Sequence, residues 1–152
     1  MTKMLNLTED HLVEQPAINW FKEIGYSYIH GSELSPENQE RDSYKDVILK
    51  KRFLEAVKRI NSWLTDSLAE QVYRMLKNIE HPDFIIKSKM IYDVLVNGVK
   101  IKVKEGKEER TRLVKLIDFE ETQTQNNDFL ISNQFTIEYQ YLKEEYLSLI
   151  HI

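Results

Sequence analysis

Along the chain, apolar residues first recur at helical spacing and later alternate. Thr8 followed by Glu9 and Asp10 reads as a helix start: a capping hydroxyl, then acids near the positive end of the helix dipole. The predicted helix runs to about Ile24 and stops at Gly25. Pro16 lies inside it, so either the helix kinks there or a short first turn gives way to a second helix beginning near Pro16. Residues 26–46 hold Gly31, Ser32, Ser35 and Pro36 among polar neighbours and are expected to be mostly loop. Leu54, Val57, Ile60 and Leu64 then mark one amphipathic helix, and Leu68, Val72, Leu76 and Ile79 another. Ser67-x-x-Glu70 is a candidate capping box for the latter. His81-Pro82 breaks the pattern. Ile86, Met90 and Val94 give a third helix, closed by Asn97-Gly98, and the Met and aromatic residues on these faces are expected in the core.

After Gly98 the period falls to two. Val99, Ile101 and Val103 alternate with Lys100, Lys102 and Lys104, as in a half-exposed strand. Gly106 marks a turn, and Leu113 to Phe119 reads as the partner strand of a hairpin. After an Asn126-Asn127 loop, Phe129-Leu130-Ile131 with Phe135, Ile137, Tyr139 and Tyr141 suggests a further extended stretch. With no repeats, the order predicts one α/β (α+β) domain over residues 1–152: N-terminal helices followed by a small mixed or antiparallel sheet.

Composition narrows the class. The 152 residues, 41% hydrophobic and 11% aromatic, suit one folded domain. The absence of cysteine excludes a disulfide scaffold, a thiolate zinc site and a Cys nucleophile. No apolar run approaches the roughly 18 residues of a membrane span, and no secretory signal opens the chain, so a cytoplasmic protein is expected. The net charge of -4 conceals segregation: residues 1–44 carry -5, 45–115 carry +7 and 116–152 carry -6. Within the basic middle, Lys100, Lys102, Lys104, Arg110 and Arg112 are candidate DNA-phosphate contacts, a solvated face being the other reading.

Familiar catalytic motifs are missing. His11, His30, His81 and His151 have no metal-ligand spacing. Gly106-Lys107 is not a phosphate loop, because Gly98 lies eight residues upstream rather than five and Glu108 replaces the magnesium-binding Ser or Thr.

Read in order, Leu7-Thr8-Glu9, Val13-Glu14, Ala17-Ile18-Asn19-Trp20, Glu23-Ile24-Gly25-Tyr26, Gly31-Ser32-Glu33-Leu34, Arg41, Asp46-Val47-Ile48-Leu49, Arg59-Ile60-Asn61, Asn97-Gly98-Val99, Leu116-Ile117-Asp118-Phe119, Asn127-Asp128-Phe129-Leu130 and Asn133-Gln134-Phe135-Thr136 carry a resemblance. Over residues 7–136 the chain resembles the N-terminal region of the R (restriction and translocation) subunit of type I restriction enzymes. The resemblance implies a PD-(D/E)xK nuclease domain of partial restriction-endonuclease-like fold, in which carboxylates and a lysine hold magnesium beside the scissile phosphate.

The helix glutamate of that family maps onto Glu14, which then becomes a candidate metal ligand; an ordinary helix-surface acid is the other reading. The family continues to an Arg-Pro-Asp element and then E-x-K, whereas residues 137–152 diverge: Glu138 is followed by Gln140 and Glu145 by Leu147. The expectation is therefore a fragment truncated before the catalytic strands, inactive alone and needing no cofactor, where the intact family enzyme uses magnesium and ATP. Intact-complex partners would be duplex DNA and the modification and specificity subunits. An unfinished sheet edge invites self-association, with the tail forming a helix or an edge strand over it. The alternatives are a non-catalytic DNA-binding or subunit-docking module, and an unrelated small interaction protein with a basic face.

Overall fold

A computed structural model describes residues 10–120, 125–138 and 146–150. In chain order the helices are α1 (Gln15–Glu23), α2 (Lys50–Ile60), α3 (Asp66–Lys77) and α4 (Phe84–Asn97); the strands are β1 (Ser27–Tyr28), β2 (Val99–Glu105), β3 (Glu108–Val114), β4 (Leu130–Ile137) and β5 (Tyr146–Ile150). This is a mixed α/β class, as expected, with parallel and antiparallel pairing both present. The chain divides into two compact units, one made from its two ends up to Val47 and from Phe129 onward, the other from Ile48–Asp128.

In the first unit a π-helical turn, Asp10–Glu14, runs into α1. Pro16 sits in the first turn of α1, where its missing N–H removes no intrahelical bond and its fixed φ suits helix entry. The reading with a new helix near Pro16 therefore describes the chain; the predicted Thr8 cap lies outside the described residues. Gly25, at φ 102°, ends the helix and lets the Tyr26 N–H return to the Phe21 carbonyl at 2.9 Å.

The stretch expected to be mostly loop contains β1 and a 3₁₀ turn, Gly31–Glu33. Two residues are too short to show a period; β1 exists because its backbone pairs parallel with β4, Ser27 opposite Leu130 and Tyr28 opposite Ile131. β5 pairs antiparallel on the other side, giving the order β1-β4-β5 with β5 at an edge. Phe21, Tyr26 and Phe129 contact one another in series, the first pair edge to face and the second tilted, centroids 5.1 and 5.3 Å apart, and Ile18, Leu34 and Phe135 are buried.

The second unit packs α2 and α3 on the β2–β3 hairpin around Val57, Leu64, Ala69, Val72, Val99, Ile101 and Val114. Three details depart from the periodic reading. Thr65, not Ser67, caps α3, its Oγ1 accepting from the Leu68 N–H, because the helix already includes Asp66 and Ser67. The partner strand is Glu108–Val114 rather than Leu113–Phe119. Gly106, at φ 68°, turns the chain in two residues, so Glu105 already opposes Glu108, and the run of charged residues on β3 hides its alternation. Finally, α4 holds no fully buried residue: of its expected core face Val94 packs against the core, partly buried, while Ile86 and Met90 are exposed.

Two polar knots hold this unit. Buried Asn61, just past α2, donates through Nδ2 to the Val57 and Lys115 carbonyls at 2.8 and 2.7 Å and accepts from the Lys115 N–H at 2.9 Å. It thereby ends the hairpin ladder and ties it to α2. Asp118 accepts from Asn126 Nδ2 at 3.0 Å and from the Glu120 N–H at 3.1 Å, bonds that hold its carboxyl below the usual carboxylate range.

Replacing buried Asn61 by Ala removes three hydrogen bonds and leaves the part-buried Lys115 backbone groups without this partner, and is expected to lower stability by about 2–3 kcal/mol in urea denaturation. A loss under 0.5 kcal/mol would show that the knot is dispensable.

Candidate functional site

Glu14 ends the π-helical turn, and its side chain is 7% exposed. Both of its oxygens are held by neighbouring amides of β4: Asn133 Nδ2 donates to Oε2 at 2.6 Å and Gln134 Nε2 to Oε1 at 2.9 Å. Consecutive strand residues normally point to opposite faces, so one carboxylate could not gather both. The strand is irregular here. Ser132 opposes Ile150 while Phe135 opposes Ser148, so β4 carries one extra residue, and Gln134 stands at φ 55° in the left-handed region.

The neighbours accommodate the bulge. Gly31 packs so closely on it that a Cβ there would overlap the Gln134 carbonyl. The Tyr28 hydroxyl donates to Asn133 Oδ1 at 2.8 Å, which turns the amide nitrogen toward Glu14. Beyond the bulge, Arg41 is buried against β4. Its Nη2 donates to the Thr136 carbonyl at 2.8 Å and its Nη1 to the Asp46 carbonyl at 3.1 Å. The guanidinium lies over Phe135 and Tyr44, 4.2 and 5.0 Å from the ring centres. Burial lowers the Arg41 pKa from its usual value. The Tyr44 hydroxyl in turn donates to Glu37 at 2.8 Å; a backbone hydrogen bond first, and this phenol second, keep the Glu37 carboxyl low.

The geometry defines a positioned acid. A hard divalent cation requires about six oxygen ligands. Among the described residues no three of His, Cys, Asp and Glu come together, and both Glu14 oxygens already accept hydrogen bonds. These residues alone therefore do not fit a magnesium site.

The basic stripe divides. In the hairpin register Lys100, Lys102 and Lys104 oppose Leu113, Thr111 and Glu109 and share one face; Arg112 and Arg110 oppose Ile101 and Val103 on the other. Arg110 lies 3.0 Å from Glu108, Arg112 lies 3.4 Å from Glu105 and over the Trp63 ring, and Lys102 lies 3.3 Å from Glu109. His30 accepts from the Ser32 N–H and His81 from the Asp83 N–H, local turn contacts. Sequence reasoning attached no role to Asn133, Gln134, Tyr28 or Arg41. The available signal was an Asn-Gln pair in an otherwise strand-like run, with Gly31 upstream.

The clamp lies within the stretch of the chain that matches a known family. The sequence model described as type I restriction enzyme R protein N terminus matches residues 6–146, and the chain belongs to that family. It is 54% identical over 135 residues to the putative type I restriction enzyme MjaIXP endonuclease subunit of Methanocaldococcus jannaschii, a match covering 89% of this chain and 13% of that protein. With the type I restriction enzyme HindI endonuclease subunit of Haemophilus influenzae it shares 25% identity over 127 residues, 82% of this chain and 12% of that one. The chain thus spans about an eighth of either relative's length. No solved structure matches it. Among the described residues, no helix is long and apolar enough to cross a membrane.

Substituting Asn133 by Asp places a second carboxylate at hydrogen-bond distance from Glu14 and removes a donor. Like charges so close raise the folded-state pKa of the pair, so the penalty is full at neutral pH and shrinks as a proton enters on acidification. The variant is expected to lose about 2–4 kcal/mol at pH 7 and part of that deficit at pH 4, measured against the parent at each pH. The comparison is necessary because Glu37 and Asp118, held low when folded, weaken both proteins as the pH falls. A deficit independent of pH would show that the two side chains do not meet.

Proposed function

We propose that this chain is an N-terminal part of the endonuclease subunit of an ATP-dependent type I restriction enzyme, which acts on duplex DNA together with modification and specificity subunits. Residues 7–136 form the front of its nuclease domain, followed by a divergent stretch over 137–152. In this reading the first unit holds Glu14 oriented for a metal site whose other ligands lie outside the described residues, without itself cutting DNA. The observation that carries it is the clamp: a buried carboxylate fixed by Asn133 and Gln134, in a chain whose family and relatives are endonuclease subunits.

A second reading, non-catalytic DNA binding, is favoured by the face of Lys100, Lys102 and Lys104. Arg110 sits by both Glu105 and Glu108 and Arg112 by Glu105, while Lys102 sits by Glu109 alone, so the arginines would add less to phosphate binding than the lysine face.

With magnesium and supercoiled plasmid, the chain is expected to leave the DNA uncut. Nicking that disappears in Glu14→Gln would contradict inactivity. For the second reading, binding to a short duplex is followed against salt. Lys100→Glu with Lys102→Glu is expected to weaken it at least tenfold and flatten the salt slope by about 2, while Arg110→Ala changes it less. An unchanged slope would reduce the lysines to a solvated face.

A further inference from the structure

The second unit is one continuous stretch of chain, Ile48–Asp128, that interrupts the first, whose residues come from before and after it. Insertions of this kind are tolerated where the two ends of the inserted piece lie side by side. The ends here are joined. Asp128 is the last residue of the unit, and Arg52 lies in the first turn of α2, just after its beginning. Arg52 Nη1 donates to Asp128 Oδ2 at 3.0 Å, the side chains being 26% and 30% exposed.

The pair also answers a local defect. Helix α2 starts with Lys50, Lys51 and Arg52, three cations at the positive end of its dipole. It has no side-chain cap and no acid in its first turn. Asp128 supplies the missing negative charge from the far end of the unit. The start of α2 thus depends on the closure of the whole stretch, which is the condition for opening and closing together.

Further bonds repeat the closure. Arg59 Nε donates to the Asn126 carbonyl at 2.9 Å, so α2 holds the exit stretch at a second point. Asn127 donates through Nδ2 to the Asp118 carbonyl at 2.7 Å and accepts from the Asp118 N–H at 2.8 Å. The core is the unit's own: Val57, Ala69, Val72, Ile101 and Val114, with the partly buried residues packed against them, all lie within Ile48–Asp128. A stretch of roughly 80 residues is long enough to fold around one core.

We propose that Ile48–Asp128 is an inserted module that opens and closes as one cooperative unit of its own, with the Arg52–Asp128 pair as its clasp. The lysine face of the hairpin then belongs to a part of the chain that opens without releasing Glu14. The inference stands whether or not the chain binds or cuts DNA.

Native-state hydrogen exchange of the full chain, followed by NMR in urea below the unfolding transition, tests it. The backbone amides of α2, α3, β2 and β3 should converge on one opening reaction, distinct from the one that exposes β4 and the side-chain amides of Asn133 and Gln134. Asn61→Ala should speed exchange in the first set at least tenfold and leave the second within twofold. Should that variant unfold the module outright, the Asn133 and Gln134 amides keep their protection all the same. Gly31→Ala, which presses a Cβ onto the Gln134 carbonyl, should have the opposite effect. Arg52→Met and Asp128→Asn should each speed exchange at least threefold throughout the module, and the double variant no more than the stronger single one. A single opening reaction shared by β2, β3 and β4 would overturn the proposal. So would an Asn61→Ala effect that reaches the Asn133 and Gln134 amides. Clasp effects that simply add, or that stay within the first turn of α2, would overturn it as well.

Discussion

Glu14 and the Asn133–Gln134 pair lie about 120 residues apart in sequence, and the first unit is organised by bringing them together. A buried carboxylate is tolerable only if its oxygens are satisfied. Satisfying both from one strand requires the strand to present two adjacent side chains in the same direction. The bulge in β4 and the left-handed Gln134 do this, at a backbone cost of about 1–2 kcal/mol. The rest of the unit supports that geometry. Gly31 lacks the Cβ that would collide with the bulge, Tyr28 turns the Asn133 amide, and Arg41 fastens the strand beyond it. What results is a buried carboxylate whose position is set by its surroundings rather than by solvent.

The second unit is built on a different economy. Its core is the ordinary product of two amphipathic helices and a hairpin, and Asn61 joins them by closing three hydrogen bonds where α2 and the ladder both end. Its surface is unusual: positive charge divided between two faces of the hairpin, with glutamates facing the arginines, beside a helix that leaves its apolar residues in water.

The helical parts were legible because their signal is local and redundant. Val57, Leu64 and Val72 repeat at helical spacing and are indeed core. The resemblance pieces included Glu14, Asn133 and Gln134, but no local rule assigns those amides to a carboxylate so far away. β1 was illegible since its two residues are a strand only by virtue of β4. β3 was misplaced because glutamates and arginines fill positions that usually alternate, and the turn chemistry at Gly106 outweighs the apolar run that follows. α4 failed in the opposite direction: the apolar period was real, but burial depends on a neighbour, which sequence periodicity does not supply.

The clamp on Glu14 is tested most directly by following the side-chain amide protons of Asn133 and Gln134 by NMR in the parent and in Glu14→Ala. In the parent, one proton of each amide should be protected from solvent exchange at least tenfold relative to an exposed Asn or Gln. Both should lose that protection together in the variant while the Asn61 amide keeps its own. Exchange in the parent as fast as that of a free amide, or protection that survives Glu14→Ala, would contradict the account.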